Sequence, residues 1–329
     1  MPRPPHALRS AALAAFLVWS CNTGAAEPAA AYPNTDGFGI AFEKSEDWYR
    51  HCMRAERLAP PRAPVNTGKP RCDATDLYYL KRDQESTSPA EWRQVQACAR
   101  ESRDDAVLMM LHANGYGTAR DTERAIYHAC KLDTAKAEME GRVSYLASPA
   151  AASDRQPFDL CDHITSRHMG AVCAGIQERR AERVRGVLLT RFAAGLPAAA
   201  RRPFARLREA AATFNRTSAG EVDMSGGAGA GLSIQHKGQR DNGFTETLLA
   251  AANGQLPRAN AAQLAEIDLE LNREYRKVMA APGVRKAERA WLAYRDAWSP
   301  FLAAAGLRTD LASVKAALTR QRIAQLKRI

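Results

Sequence analysis

The chain has seven cysteines, at positions 21, 52, 72, 98, 130, 161 and 173, and none in the rest of its 329 residues. A covalent cross-link restricts where the helices on either side of it can lie. The first half of the chain must therefore fold around its cysteines, and the second half must hold together by packing alone. The N-terminus indicates how the cysteines are used. Arg3 and Arg9 form a basic patch, Ala11 to Trp19 a short apolar stretch, and Gly24-Ala25-Ala26 a run of small residues suited to cleavage, so residues 1–26 read as a secretory signal peptide. The apolar stretch is too short to span a bilayer. A second reading of the same leader takes Val18-Trp19-Ser20-Cys21 as a lipoprotein box, which would acylate Cys21 and tether the protein to a membrane. Removal of the leader leaves Cys52, Cys72, Cys98, Cys130, Cys161 and Cys173. An even number in an exported chain predicts disulfides and a periplasmic or secreted location.

Hydrophobic residues make up 46% of the chain but aromatics only 7%, because much of the apolar content is alanine. Alanine has the highest helix propensity, so the composition points to an all-α protein. Ser45 to Leu58 and Asp73 to Arg82 can each form a helix. Ser88-Pro89-Ala90-Glu91 is a helix start with a serine cap, proline at the first turn and glutamate three residues after the cap. Asp105 to Ala113 and a helix capped by Asp121 follow. Residues 148–157 read as a linker. Phe158 to about Ala194 reads as one long helix, with Cys161, Thr165, Met169, Cys173, Ile176 and Val184 near one face. On such a helix Cys161 and Cys173 lie roughly 18 Å apart, whereas a disulfide needs Cα atoms within about 7 Å. They are therefore expected to bond to neighbouring helices rather than to each other, with Cys130 a partner for one of them.

Pro197 and Pro203 are expected to break the chain, and residues 221–242, with glycines from 226 to 231, read as an irregular loop. The clearest periodicity comes last. Leu264, Ile267, Leu271, Tyr275 and Val278 form one stripe. Ala287, Trp291, Tyr294, Trp298 and Phe301 form a second, with Pro300 expected to end or kink the helix. Leu311, Val314, Leu318, Ile323 and Leu326 form a third. The reading is of disulfide-stapled helical hairpins followed by an antiparallel helical bundle. Its boundaries are 1–26 for the signal peptide, 27–157 for a disulfide-linked domain, 158–261 for a long helix and helical linker, and 262–329 for a three-helix region.

Two segments resemble known families. Leu111-His112-Ala113-Asn114-Gly115-Tyr116-Gly117, with Arg120-Asp121 and Ala125-Ile126-Tyr127, resembles the loop and second helix of a Sel-like repeat over about 105–131. A single copy implies one helical hairpin rather than an array. Leu271 to Lys277, Ala290 to Trp298 and Leu318 to Leu326 together resemble the N-terminal domain of the LprI-type lysozyme-inhibitor family, over about 262–329. That resemblance implies an exported protein that acts by binding rather than by catalysis. It also implies that Asn272, Tyr275, Trp291, Tyr294, Arg295 and Trp298 are signature residues, either core or partner-binding. Where the family has a cysteine after Tyr-Arg-Asp-Ala, this chain has Trp298 and Ser299. A fainter internal echo lays Arg208 to Phe214 over Glu288 to Tyr294.

No motif for catalysis, cofactor or metal stands out. Cys161, His163, His168 and Cys173 have zinc-capable side chains, but their spacing on one helix is wrong for a shared site. The glycines at 226–231 lack the Lys-Ser/Thr ending of a phosphate loop, and no nucleophile elbow or His-Glu-x-x-His is present. Nucleic acid is not an expected partner. Residues 262–329 carry 13 Lys and Arg against 7 Asp and Glu, which suits an anionic envelope component better than a basic protein. A basic lysozyme would need an acidic patch, for which Glu266, Glu270 and Glu274, together with Asp268, are the candidates. Steps of four place the three glutamates on one helix face, where they either meet a partner or pair with Arg273, Lys277 and the next helix. The alternative to a lysozyme inhibitor is a helical interaction scaffold in the periplasm.

Overall fold

The computed structural model describes residues 31–60, 72–221 and 226–329. Residues 1–26, read as a signal peptide, and with them Cys21, lie outside these residues. The described residues are all-α, with thirteen α-helices and two short 3-10 turns. In chain order the first seven helices are α1 (Asp47–Ala55), α2 (Ala74–Arg82), α3 (Pro89–Ser102), α4 (Asp105–Asn114), α5 (Thr122–Ala129), α6 (Lys136–Ala147) and α7 (Pro149–Ser153). The rest are α8 (Arg167–Ala194), α9 (Ala198–Ser218), α10 (Gly229–Asn253), α11 (Ala261–Val278), α12 (Val284–Ala305) and α13 (Leu311–Leu326).

Caps written in the sequence set many of the starts. Ser88 and Glu91 form the expected capping box on α3, Asp121 accepts from the Arg124 N–H at the start of α5, and Asn260 and Gln263 form a second box on α11. Each orphan N–H satisfied in this way is worth about 1 kcal/mol.

Two hydrophobic cores result. The first is built from α1 to α6 around Trp48, Tyr78, Tyr79, Met109, Met110 and Met139, and takes in Met169, Cys173 and Ile176 from the start of α8. The second gathers Phe204, Leu207 and Phe214 of α9, Phe244 and Leu248 of α10, and the predicted stripes of α12 and α13. All five residues of the α12 stripe are buried. Helix α8 serves both cores. At about 100° per residue, Arg185, Leu189 and Phe192 lie on the opposite side of the helix from Met169, Cys173 and Ile176. The buried face therefore inverts partway along, and Val184, expected on the buried face, is 62% exposed.

Several sequence expectations need correction. Cys161 and Cys173 do bond to each other, with Cα atoms 5.8 Å apart. The helix does not begin at Phe158. Residues 160–163 form a turn, His163 has φ 58°, and α8 starts only after Ser166, whose side chain accepts from the Met169 N–H. Cys130 pairs with Cys52, and Cys72 with Cys98. The predicted linker at 148–157 contains α7, and α6 before it went unread although Met139, Val143 and Leu146 have helical spacing. The predicted loop at 221–242 is mostly helix. One of its glycines lies against the α8 backbone: a Cβ on Gly231 would sit 3.5 Å from Ala171 Cα. Pro203 and Pro300 lie inside α9 and α12, and neither ends its helix.

A buried carboxylate anchors the turn before α8. Glu138 accepts from the N–H groups of Thr165 and Ser166 at 2.8 and 2.6 Å, and from the Thr134 hydroxyl. Burial alone would raise its carboxyl, but these hydrogen bonds outweigh it and hold the pKa down at about 2. A depressed folded pKa contributes stability that is full above the unfolded value near 4.5 and is lost as pH falls toward 2. Glu138→Gln should cost on the order of 3 kcal/mol at neutral pH and flatten the acid limb of urea-denaturation midpoints between pH 5 and 2.

The three disulfides close loops of very different length, with sequence separations of 78, 26 and 12. In the chain-entropy model these are worth about 4.5, 3.5 and 3 kcal/mol. Peptide mapping without reduction should return the three pairs. Replacing Cys52 and Cys130 together with serine should lower stability more than the same change at Cys161 and Cys173. Under reductant, amides of the first core should exchange while those of α12 and α13 stay protected.

Candidate functional site

The C-terminal helices divide the six signature residues into two groups. Trp291, Tyr294 and Trp298 point into the second core and are 1%, 5% and 0% exposed. Tyr294 stacks on Phe214 at 6.1 Å, and Trp298 meets Phe301 edge-on at 5.9 Å. These three hold the bundle together and present no outward face on which a protein could dock.

Asn272, Tyr275 and Arg295 instead line a groove of about 300 Å³ between α11 and α12. Leu271 and Leu292 give it an apolar floor, and Asp268, Glu288, Arg285 and Arg289 also line it. The lining positions step by three and four along each helix, which is why one face of each contributes. Arg295 fixes the groove geometry. Its guanidinium lies 4.8 Å over the Trp291 ring, and its Nη1 donates to Asp268 Oδ1 at 2.7 Å and to Thr319 Oγ1 at 3.3 Å. One side chain thus joins α11, α12 and α13.

Behind the groove, Glu288 accepts from Arg322 Nε at 2.9 Å, and the remaining nitrogens of Arg322 reach Glu221 at 2.6 and 3.1 Å. Arg322 is fully buried. Burial raises the Glu288 carboxyl, and Arg322 acts against that shift.

The proposed acidic patch is largely spent on internal pairs. Glu274 is buried and pairs with Lys277 at 2.7 Å and Arg273 at 3.6 Å, and Glu270 pairs with Lys327 of α13 at 2.8 Å. Lys277 and Lys327 hold these two carboxyls below the usual range. Glu266 is exposed and, among the described residues, makes no ion pair. In the groove the balance is reversed. Asp268 and Glu288 are matched by Arg295 and Arg322, while Arg285 and Arg289 are exposed and make no ion pair among the described residues. Glu288 and Arg322 do not stand out together in the sequence, because their pairing joins two helices and residues 34 apart.

These features define an all-helical, disulfide-bonded protein with a shallow basic groove on its surface. Among the described residues no cluster of His, Cys, Asp and Glu has metal-binding geometry. Residues 250–326 match the family model "Lysozyme inhibitor LprI", so the C-terminal part of the chain is similar to that family. The match begins in the last turn of α10 and ends with α13, and so takes in all three motif segments. No curated protein and no solved structure matches the chain.

Removing one partner of a buried ion pair leaves an uncompensated charge, which costs about 3–5 kcal/mol. Arg322→Met should destabilise the protein by that amount at neutral pH. Adding Glu221→Gln and Glu288→Leu should recover most of the loss. Thermal unfolding of the single and triple variants checks both.

Proposed function

We propose that the protein acts by binding rather than catalysis, as an exported envelope protein of the LprI type, and that the α11/α12 groove is its docking surface. Three disulfides support a life in an oxidising compartment, periplasmic or secreted. No helix among the described residues is long and apolar enough to cross a membrane. The observation that carries the reading is the charge of the groove. Two exposed arginines flank an apolar floor, and the acidic side chains nearby are neutralised by internal partners.

Such a surface attracts an acidic protein segment or an anionic envelope component. It meets a basic lysozyme with like charge, which slows encounter and weakens binding. The matched family is described as a lysozyme inhibitor. In this chain, inhibition of a basic lysozyme is therefore expected to be weak or absent.

Titration of the oxidised protein against a basic animal-type lysozyme, at low and moderate ionic strength, tests this. We expect little inhibition, and any inhibition seen should change with salt. Arg285→Glu with Arg289→Glu should improve binding to that lysozyme by reversing the sign of the groove. Tight inhibition by the unaltered protein that ignores salt would overturn the electrostatic argument.

A further inference from the structure

A second cavity lies away from the groove, among α9, α10, α12 and α13, with a volume of about 390 Å³. That is within the range of small-molecule sites, roughly 300–1,000 Å³. Phe214, Phe244, Trp291 and Tyr294 give it an aromatic wall, and Asn215, Gln239, Gln321 and Gln325 line it with amides. Its charged lining is Arg240, Arg322 and Arg328 against Glu221 and Glu246, and Glu288, outside the lining, also pairs with Arg322.

The three arginines are not equivalent. Arg322 is saturated by Glu221 and Glu288. Arg328 donates only a long hydrogen bond, at 3.5 Å, to Gln239. Arg240 is 7% exposed, and it donates through Nη2 to the Ser218 carbonyl at 3.2 Å and lies 3.7 Å from Glu221. Its Nε is buried and has no hydrogen-bond partner among the described residues. A buried guanidinium N–H without an acceptor is strongly disfavoured. The lining therefore combines an arginine whose hydrogen-bonding capacity is only partly used with an apolar wall. His236, at the same cavity, adds no charge at neutral pH, because burial and then Arg240 and Arg328 lower its pKa.

We propose that this cavity binds a small monoanionic carboxylate with a compact apolar body, its carboxylate accepting from Arg240 and its body against the aromatic wall. The two glutamates in the lining disfavour a dianion, and the aromatic wall disfavours a small inorganic ion.

The test is equilibrium dialysis of the full, disulfide-bonded protein with benzoate, inorganic phosphate or benzyl alcohol as the probe. Benzoate should bind saturably, one per chain, with a Kd of about 1 mM or tighter. Phosphate and benzyl alcohol should bind at least about tenfold more weakly. Arg240→Met should weaken benzoate at least about tenfold, the loss expected for a charge-assisted hydrogen bond. Gly243→Leu is a second variant that does not depend on removing a buried charge. Gly243 lines the cavity, and a Cβ there meets only Gln321 Oε1 at 3.8 Å, so leucine fills the space without a backbone clash. It should abolish benzoate binding while the helical circular dichroism is kept. Arg285→Glu with Arg289→Glu, which alters only the groove, should bind benzoate as the unaltered protein does. The proposal is overturned if the unaltered protein shows no saturable benzoate binding, if phosphate binds as tightly, or if Gly243→Leu binds benzoate unchanged.

Discussion

One helix sets the relation between the two cores. Over its 28 residues α8 buries one side at its start and the opposite side at its end. Between those stretches its contacts are ionic. Arg180 and Arg183 reach Asp83 and Asp76 of α2, while Arg185 donates to Glu178 of its own helix and to Asn242 of α10. A helix that switches faces cannot slide or rotate without uncovering one core or the other. The glycines of α10 let that helix pack closely along it. The Cys161–Cys173 bridge and Glu138 hold its first turn.

This arrangement explains what was legible in the sequence. Stripes with a single buried face could be read directly: every residue of the Ala287–Phe301 stripe is buried, and the capping box at Ser88 stands where its residues place it. A helix with two buried faces leaves no single stripe, so periodicity marks neither the start of α8 nor the exposure of Val184. The Cys161–Cys173 bridge depends on the turn before that start, and a helix running from Phe158 would hold the two cysteines too far apart to bond. The glycines at 226–231 suggest an irregular loop, yet Gly231 lies within a helix and against the backbone of α8. At the candidate site, the motif residues were recognisable as a set but not as two groups, since core and groove positions alternate along the same helices.

The charged residues of the C-terminal bundle are divided in a comparable way. Arg295 and Arg322 are spent inside the protein, each spanning helices that hydrophobic contact alone would leave free to shift. Glu288 lines the groove, and the arginine it accepts from lines the cavity. Binding free energies are reciprocal, so any occupant that alters the hold on Arg322 from one side is felt equally from the other.

The family segment is not a folding module in its own right. The match begins at residue 250, yet Phe204, Phe214 and Phe244 lie before it and form the wall against which Phe301, Tyr294 and Trp298 rest. An excised 250–326 fragment would lose the surface that makes the aromatic stripe of α12 an interior. What sequence comparison delimits as a domain is here only half of a core, completed by the helices that precede it in the chain.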